Sequence, residues 1–145
     1  MTLKFASILG FIVPVLVFII LILRGTILAV GVLAIVVQVI AALLMIWSRV
    51  TFGRRSFHAT ADPTEGGLIT SGPYHYLRHP IYAALIYFLW AGLLSHFSLL
   101  NVLLGLLATI FLFIRIFAEE RFVTEKYPSY SEYVLQTKRI ILYVW

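Results

Sequence analysis

The sequence predicts an all-α polytopic membrane protein of about four transmembrane helices with short interfacial helices. Three observations carry that prediction. Of 145 residues, 62% are hydrophobic, and the mean hydropathy is +1.03, well above the soluble range. Charged residues leave four long gaps, at 5–23, 27–47, 81–95 and 99–114. The 11 Lys and Arg residues are also distributed very unevenly among the segments between those gaps.

The first gap is 19 residues and the second 21, with Gln38 the only strongly polar member of the second. Each is long enough to cross a hydrocarbon core of about 30 Å at about 1.5 Å per residue. The first is too long for a signal peptide, and Arg24-Gly25-Thr26 offers no small-x-small cleavage site. Those three residues instead predict a tight turn, with spans one and two packed antiparallel. Pro14 is a candidate kink in span one. Gly10, Gly31 and several alanines permit close helix approach.

After Trp47 the character changes. The stretch 49–57 predicts a short interfacial helix, followed by a loop through Asp62-Pro63-Thr64-Glu65-Gly66-Gly67. The third and fourth gaps are only 15 and 16 residues, so those spans borrow length from their flanks. Pro80 suits the first position of span three, where a missing N–H costs nothing. Ser95-His96-Phe97-Ser98 predicts the hairpin turn. Span four continues past Ala118 toward Lys126, and Pro128 ends it. Ser129 and Glu132 have capping-box spacing. Tyr130, Tyr133, Val134 and Thr137 then share one face of a short amphipathic helix. The tail 140–145 is apolar and ends in aromatics, which favour the membrane interface.

With four spans, both termini and the 48–80 segment share one side. Ten of the 11 cationic residues fall there, and only Arg24 lies opposite. That bias places both termini in the cytoplasm. No soluble domain displays the charge, so nucleic acid is not an expected partner. The absence of cysteine excludes disulfides, thiolate metal ligands and a cysteine nucleophile. His75 and His79 are four apart, but the Pro80 break and the lack of a third ligand predict no metal site. His58 and His96 read as ordinary interface residues.

The chemistry lies in two clusters. Gly72-Pro73-Tyr74-His75-Tyr76-Leu77-Arg78-His79-Pro80-Ile81-Tyr82 precedes span three, and Glu119-Glu120 follows span four. An antiparallel hairpin brings both to one membrane face. Ionisable groups at membrane depth are candidate functional sites. The blander readings are a headgroup arginine at Arg78, an aromatic belt at Tyr74 and Tyr82, and a solvated helix end in which Arg115 pairs Glu119. That last contact is worth only a few tenths of a kcal/mol on an exposed helix.

The Gly-Pro-Tyr and Arg78-His79-Pro80-x-Tyr82 elements, Ala118-Glu119-Glu120-Arg121, and the segment 127–133 resemble the isoprenylcysteine carboxyl methyltransferase family. That family is similar in its carboxyl half to membrane phospholipid methyltransferases. The resemblance covers about residues 66–145. Two departures stand out: Ala84 where many relatives carry glycine, and Leu142 where many carry proline.

The resemblance implies an S-adenosylmethionine-dependent methyltransferase, releasing S-adenosylhomocysteine, that acts on a lipophilic acceptor such as an isoprenylcysteine carboxylate or a lipid. It implies one domain over 1–145, with a helical hairpin at 1–47 and a cofactor-binding half at 48–145, and a cytoplasmic active site. Gly72, Pro73, Tyr74, Arg78, His79, Pro80, Tyr82, Ala84, Glu119 and Glu120 are its expected cofactor residues, with Arg78, Glu119 and Glu120 the catalytic candidates.

The residues agree with this reading. No Gly-x-Gly-x-x-Gly motif and no strand–helix alternation is present, so a nucleotide-like cofactor must bind among helix ends and loops. Arg78 offers a planar fork for a carboxylate. Adjacent glutamates project about 100° apart on a helix, so one is expected in the cleft, Glu120 for preference, and the other outward or against the loop. The sequence leaves two rivals, a small four-helix transporter and a noncatalytic membrane subunit. A proton-coupled transporter needs a carboxylate within a span, and all six acids lie outside the charge-free runs.

Overall fold

A computed structural model describes residues 3–53 and 67–141. The order is α1 (Leu3–Leu23), α2 (Val32–Phe52), a 3-10 turn (Gly72–His75), α3 (Pro80–Ser95), α4 (Leu99–Lys126) and α5 (Tyr130–Gln136). Helices α1, α2 and α4 are long and apolar enough to cross a membrane by length and composition, and α3 is a shorter apolar helix. The all-helical membrane architecture is therefore as the sequence predicts.

Helix pairing differs from expectation. α1 packs along α4 and α2 packs along α3, whereas α1 and α2 barely touch. Gly10 explains the choice. A Cβ there would lie 2.8 Å from both Arg115 Cβ and the Phe111 carbonyl oxygen, so only a bare backbone lets α1 close on α4 at this depth. Val17 and Leu21 of α1 then pack with Leu89, Leu93 and Ala108 in one buried cluster.

α2 starts five residues later than its apolar run. The chain at 27–31 is instead folded back and tied by Gln38. The Gln38 amide accepts from Ala29 N at 2.8 Å and donates to the carbonyls of Ile27 at 2.7 Å and Phe88 at 3.0 Å. Gly92 makes room, because a Cβ there would sit 2.2 Å from the Ile27 oxygen. At its other end α2 runs on to Phe52, so residues 49–52 extend the span rather than begin an interfacial helix. The rest of that expected helix, His58, the 62–66 part of the loop and the tail beyond Ile141 lie outside the described residues.

The punctuation around the last two spans holds. Pro80 opens α3, Ser98 Oγ accepts from Asn101 N at 3.2 Å to cap α4, and α4 ends at Lys126 before Pro128. The capping box does not form. Ser129 has φ −68° and ψ −8°, helical values rather than the extended ones usual at an N-cap, and no side-chain cap bond is made. Beyond α5 the chain pairs with the segment before α3. Arg78 N donates to Lys138 O at 2.7 Å, His79 N to Arg139 O at 3.1 Å, and Lys138 N to Tyr76 O at 3.1 Å. Residues 137–140 therefore form a strap that fixes the backbone of the Arg78-His79 element.

Candidate active site

Where the five helices converge there is a cavity of about 410 Å3, to which α2 contributes Arg49 and Phe52. One wall is charged and aromatic, with Tyr74, Arg78, His79, Tyr82, Glu119 and Glu120. The other is apolar, built by Phe11, Pro14, Val15, Phe18 and Ile19 of α1 with Ile81 and Leu85 of α3. Pro80 is also part of the lining.

The two clusters predicted to meet do meet. His79 spans both carboxylates, with Nε2 3.2 Å from Glu120 Oε1 and Nδ1 3.9 Å from Glu119 Oε2. Its backbone, at φ −125° and ψ 58°, is neither helical nor extended, and its ring reaches α4 through both glutamates. The helical offset of the glutamates appears as different partners rather than as one outward residue. Glu119 Oε1 accepts from the Tyr82 hydroxyl and from Arg115 Nε at 3.1 Å. Arg115 also reaches Tyr82 Oη at 2.7 Å and the Ser7 carbonyl at 3.3 Å, with its guanidinium 5.2 Å from the Phe11 ring centre. Glu119 thus ties α4 to α3 and, through Arg115, to α1.

Glu120 faces the loop elements. It accepts from Arg78 Nε at 3.2 Å and from Arg139 at both oxygens, with Nη2 2.9 Å from Oε2. Arg78 is itself held by α5 and the strap, donating Nη1 to the carbonyls of Val134 at 2.9 Å and Thr137 at 2.7 Å. It is a brace as well as a cavity cation. No protein partner engages its Nη2 among the described residues.

Tyrosines close the loop side. Tyr133 donates to the Tyr74 carbonyl at 2.6 Å, and Tyr130 lies beside it with ring centres 5.9 Å apart. Burial pushes the hydroxyls of Tyr74, Tyr130 and Tyr133 well above the ordinary tyrosine range, so all three remain neutral near pH 7. The Tyr74 hydroxyl is buried with no partner among the described residues, although Tyr74 lines the cavity. An orphaned donor beside a cavity is a place for a polar ligand atom.

Three expected cofactor residues do not line the cavity: Gly72, Pro73 and Ala84. Gly72 has φ +58° and lies against the end of α2, where a Cβ would meet Thr51 Oγ1 at 2.8 Å. Pro73 is buried, and its carbonyl accepts from Tyr76 N at 3.2 Å to close the 3-10 turn, and from Leu77 N at 3.0 Å. Ala84 is only 1% exposed within the helix packing, so its methyl does not narrow the cleft. These three position the site from behind.

Sequence reasoning missed the contribution of α1, the depth at which Arg115 is buried, and Arg139. The capping-like segment did point to Tyr130 and Tyr133, but as an amphipathic face. For Arg139 the only available signal was its distance of 19 residues from Glu120, which says nothing of contact.

The family model described as phospholipid methyltransferase matches residues 26–130 of the chain. No curated protein and no solved structure matches it.

Proposed function

This chain belongs to the phospholipid methyltransferase family, and on that premise we propose that it transfers a methyl group from S-adenosylmethionine to a lipophilic acceptor in the membrane. The observation that carries the proposal is the cavity itself, which joins a charged, aromatic wall to an apolar, membrane-facing one. Its volume of about 410 Å3 falls within the range of small-molecule sites.

The donor set fits the cofactor. Arg78 offers Nη2 to a carboxylate. Glu119 and Glu120 offer acceptors to an ammonium or to ribose hydroxyls. The orphaned Tyr74 hydroxyl offers one further donor. Tyr82 and Pro80 supply flat and apolar contact. When bound, S-adenosylmethionine supplies a methyl group on a sulfonium and departs as a neutral thioether, so no general acid is required. The protein's part is alignment, water exclusion and a fixed field. Alignment alone can supply roughly 7–11 kcal/mol in well-oriented systems. A carboxylate or thiolate acceptor arrives ionised. For an amine acceptor the base would come from Glu119, Glu120 or His79, the titratable groups that meet at the centre of the site.

The acceptor enters from the bilayer past α1, where Phe11, Val15 and Ile19 are each more than 40% exposed while lining the cavity. An isoprenylcysteine-like carboxylate and a lipid headgroup both suit this approach. Both termini and the cofactor end lie on the cytoplasmic side, following the cationic bias. Titration calorimetry with S-adenosylhomocysteine on the purified protein tests the core of the reading. Saturable binding is expected, together with transfer of labelled methyl to a membrane lipid extract. A protein that binds no S-adenosylhomocysteine is instead a transporter or an assembly subunit.

A further inference from the structure

We propose that Arg139 is a positioning residue for this site, acting through Glu120 from outside the cavity. The inference rests on the methyltransferase reading and adds a residue beyond the matched span 26–130. Glu120 lines the cavity and Arg139 does not. Arg139 nevertheless makes the fullest contact with that carboxylate, donating Nε to Oε1 at 3.1 Å and to Oε2 at 3.0 Å, with Nη2 2.9 Å from Oε2. A planar fork engaging both oxygens fixes the carboxylate plane as well as its charge.

Arg139 is anchored on every side. Its carbonyl accepts from His79 N at 3.1 Å, the next carbonyl, of Ile140, accepts from Tyr87 Oη at 2.8 Å, and its guanidinium stacks 5.1 Å from the Phe117 ring centre. Glu120 has two other partners, Arg78 and His79, and both line the cavity. A ligand that draws on Arg78 or His79 competes with Glu120 for them. Arg139, off the cavity, keeps the carboxylate in place when that happens. The strap thereby preorganises the cofactor end before any ligand arrives.

The test is S-adenosylhomocysteine affinity by calorimetry in Arg139→Ala, Arg139→Lys, Glu120→Gln and the Glu120→Gln/Arg139→Ala double variant. Arg121→Ala, whose side chain is 71% exposed, is the control. Arg139→Ala should weaken binding about tenfold or more, as loss of a charge-assisted pair does, and added guanidinium ion should restore part of it. Lysine should fall between. In the Glu120→Gln background the same alanine should change affinity less than about twofold, because its route to the ligand is already gone. Wild-type affinity in Arg139→Ala, or losses that multiply in the double variant, would overturn the proposal. If wild-type protein binds no S-adenosylhomocysteine, the methyltransferase reading fails, and amide exchange of the ligand-free protein decides the strap. Faster exchange at Arg78 and His79 in Arg139→Ala supports the clamp; unchanged protection sinks it.

Discussion

At one end of the bundle, Gln38 holds the 27–31 segment and α3, His96 Nε2 contacts the Leu28 carbonyl at 3.0 Å, and Asn101 donates to the His96 carbonyl. At the other end, Arg78, His79, Arg115, Glu119, Glu120 and Arg139 form a charged network around a cavity. The first set is made mainly of neutral polar groups that bond backbone carbonyls and amides of nearby turns. The second is ionic, pairs side chain with side chain between the segment before α3, α4 and the strap, and stands beside open volume; buried atoms without a partner among the described residues occur at both ends, Asn101 Oδ1 at the first and the Tyr74 hydroxyl at the second. Polar residues in a membrane chain therefore divide by partner. Those at the first end bond backbone almost alone, whereas those at the second also pair with each other beside open volume, the arrangement expected of a site.

The strongest way to break this comparison is at Glu119. Its removal leaves Arg115, 4% exposed, without its carboxylate. Glu119→Gln should cost about 3 kcal/mol of stability, the low end for a broken buried pair, since the carboxylate is partly solvated. It should weaken S-adenosylhomocysteine binding as well. Thermal unfolding in detergent and calorimetry measure the two effects. A stability loss with full affinity would move Glu119 into the structural set.

Gln38→Leu probes the opposite end. It orphans the Ala29 amide and the Ile27 carbonyl, each costing about 1–3 kcal/mol where water cannot replace the bond, and removes a second donor from the Phe88 carbonyl inside α3. Gly92→Ala forces a Cβ against the Ile27 oxygen and should cost about 1–3 kcal/mol through overpacking. Neither should change S-adenosylhomocysteine affinity once the folded fraction is accounted for. A specific loss of affinity in either variant would erase the division between the two ends.

The same division explains what the sequence disclosed. Pro80, Ser98 and Pro128 mark helix ends by backbone chemistry that acts locally, so α3 and α4 were legible almost to the residue. The meeting of Arg78-His79 with Glu119-Glu120 was legible because two short spans between polar clusters leave one arrangement. The start of α2 was not, since Ile27 to Val30 are as apolar as a helix and it is long-range bonds, from Gln38 and His96, that hold them in a turn. Helix pairing was also hidden. A missing Cβ at Gly10 permits close approach but does not name its partner, and four apolar cylinders look alike in composition. Gly72, Pro73 and Ala84 were expected at the ligand from the family resemblance, and none of the three lines the cavity.

The smallest expected effect is the sharpest test of the boundary between staple and site. In the folded protein the Tyr74 hydroxyl is buried with no partner among the described residues, and burial raises it well above the ordinary tyrosine range. A buried donor without a partner lowers stability, so Tyr74→Phe should leave the unliganded protein as stable or slightly more so. Because the hydroxyl stays protonated in the fold, the wild-type contribution is level below the unfolded tyrosine value of about 10. It falls only as the pH rises through and beyond that value, where the unfolded chain releases the proton first. If the hydroxyl meets the ligand, the same substitution should weaken S-adenosylhomocysteine binding by about 0.5–1.5 kcal/mol, roughly two- to tenfold. A substitution that strengthens the empty protein and weakens the complex has no structural explanation, and calorimetry beside thermal unfolding reads both signs. A Tyr74→Phe protein that is less stable and binds normally would return Tyr74 to the packing and leave the cavity's polar wall to its charged groups and Tyr82.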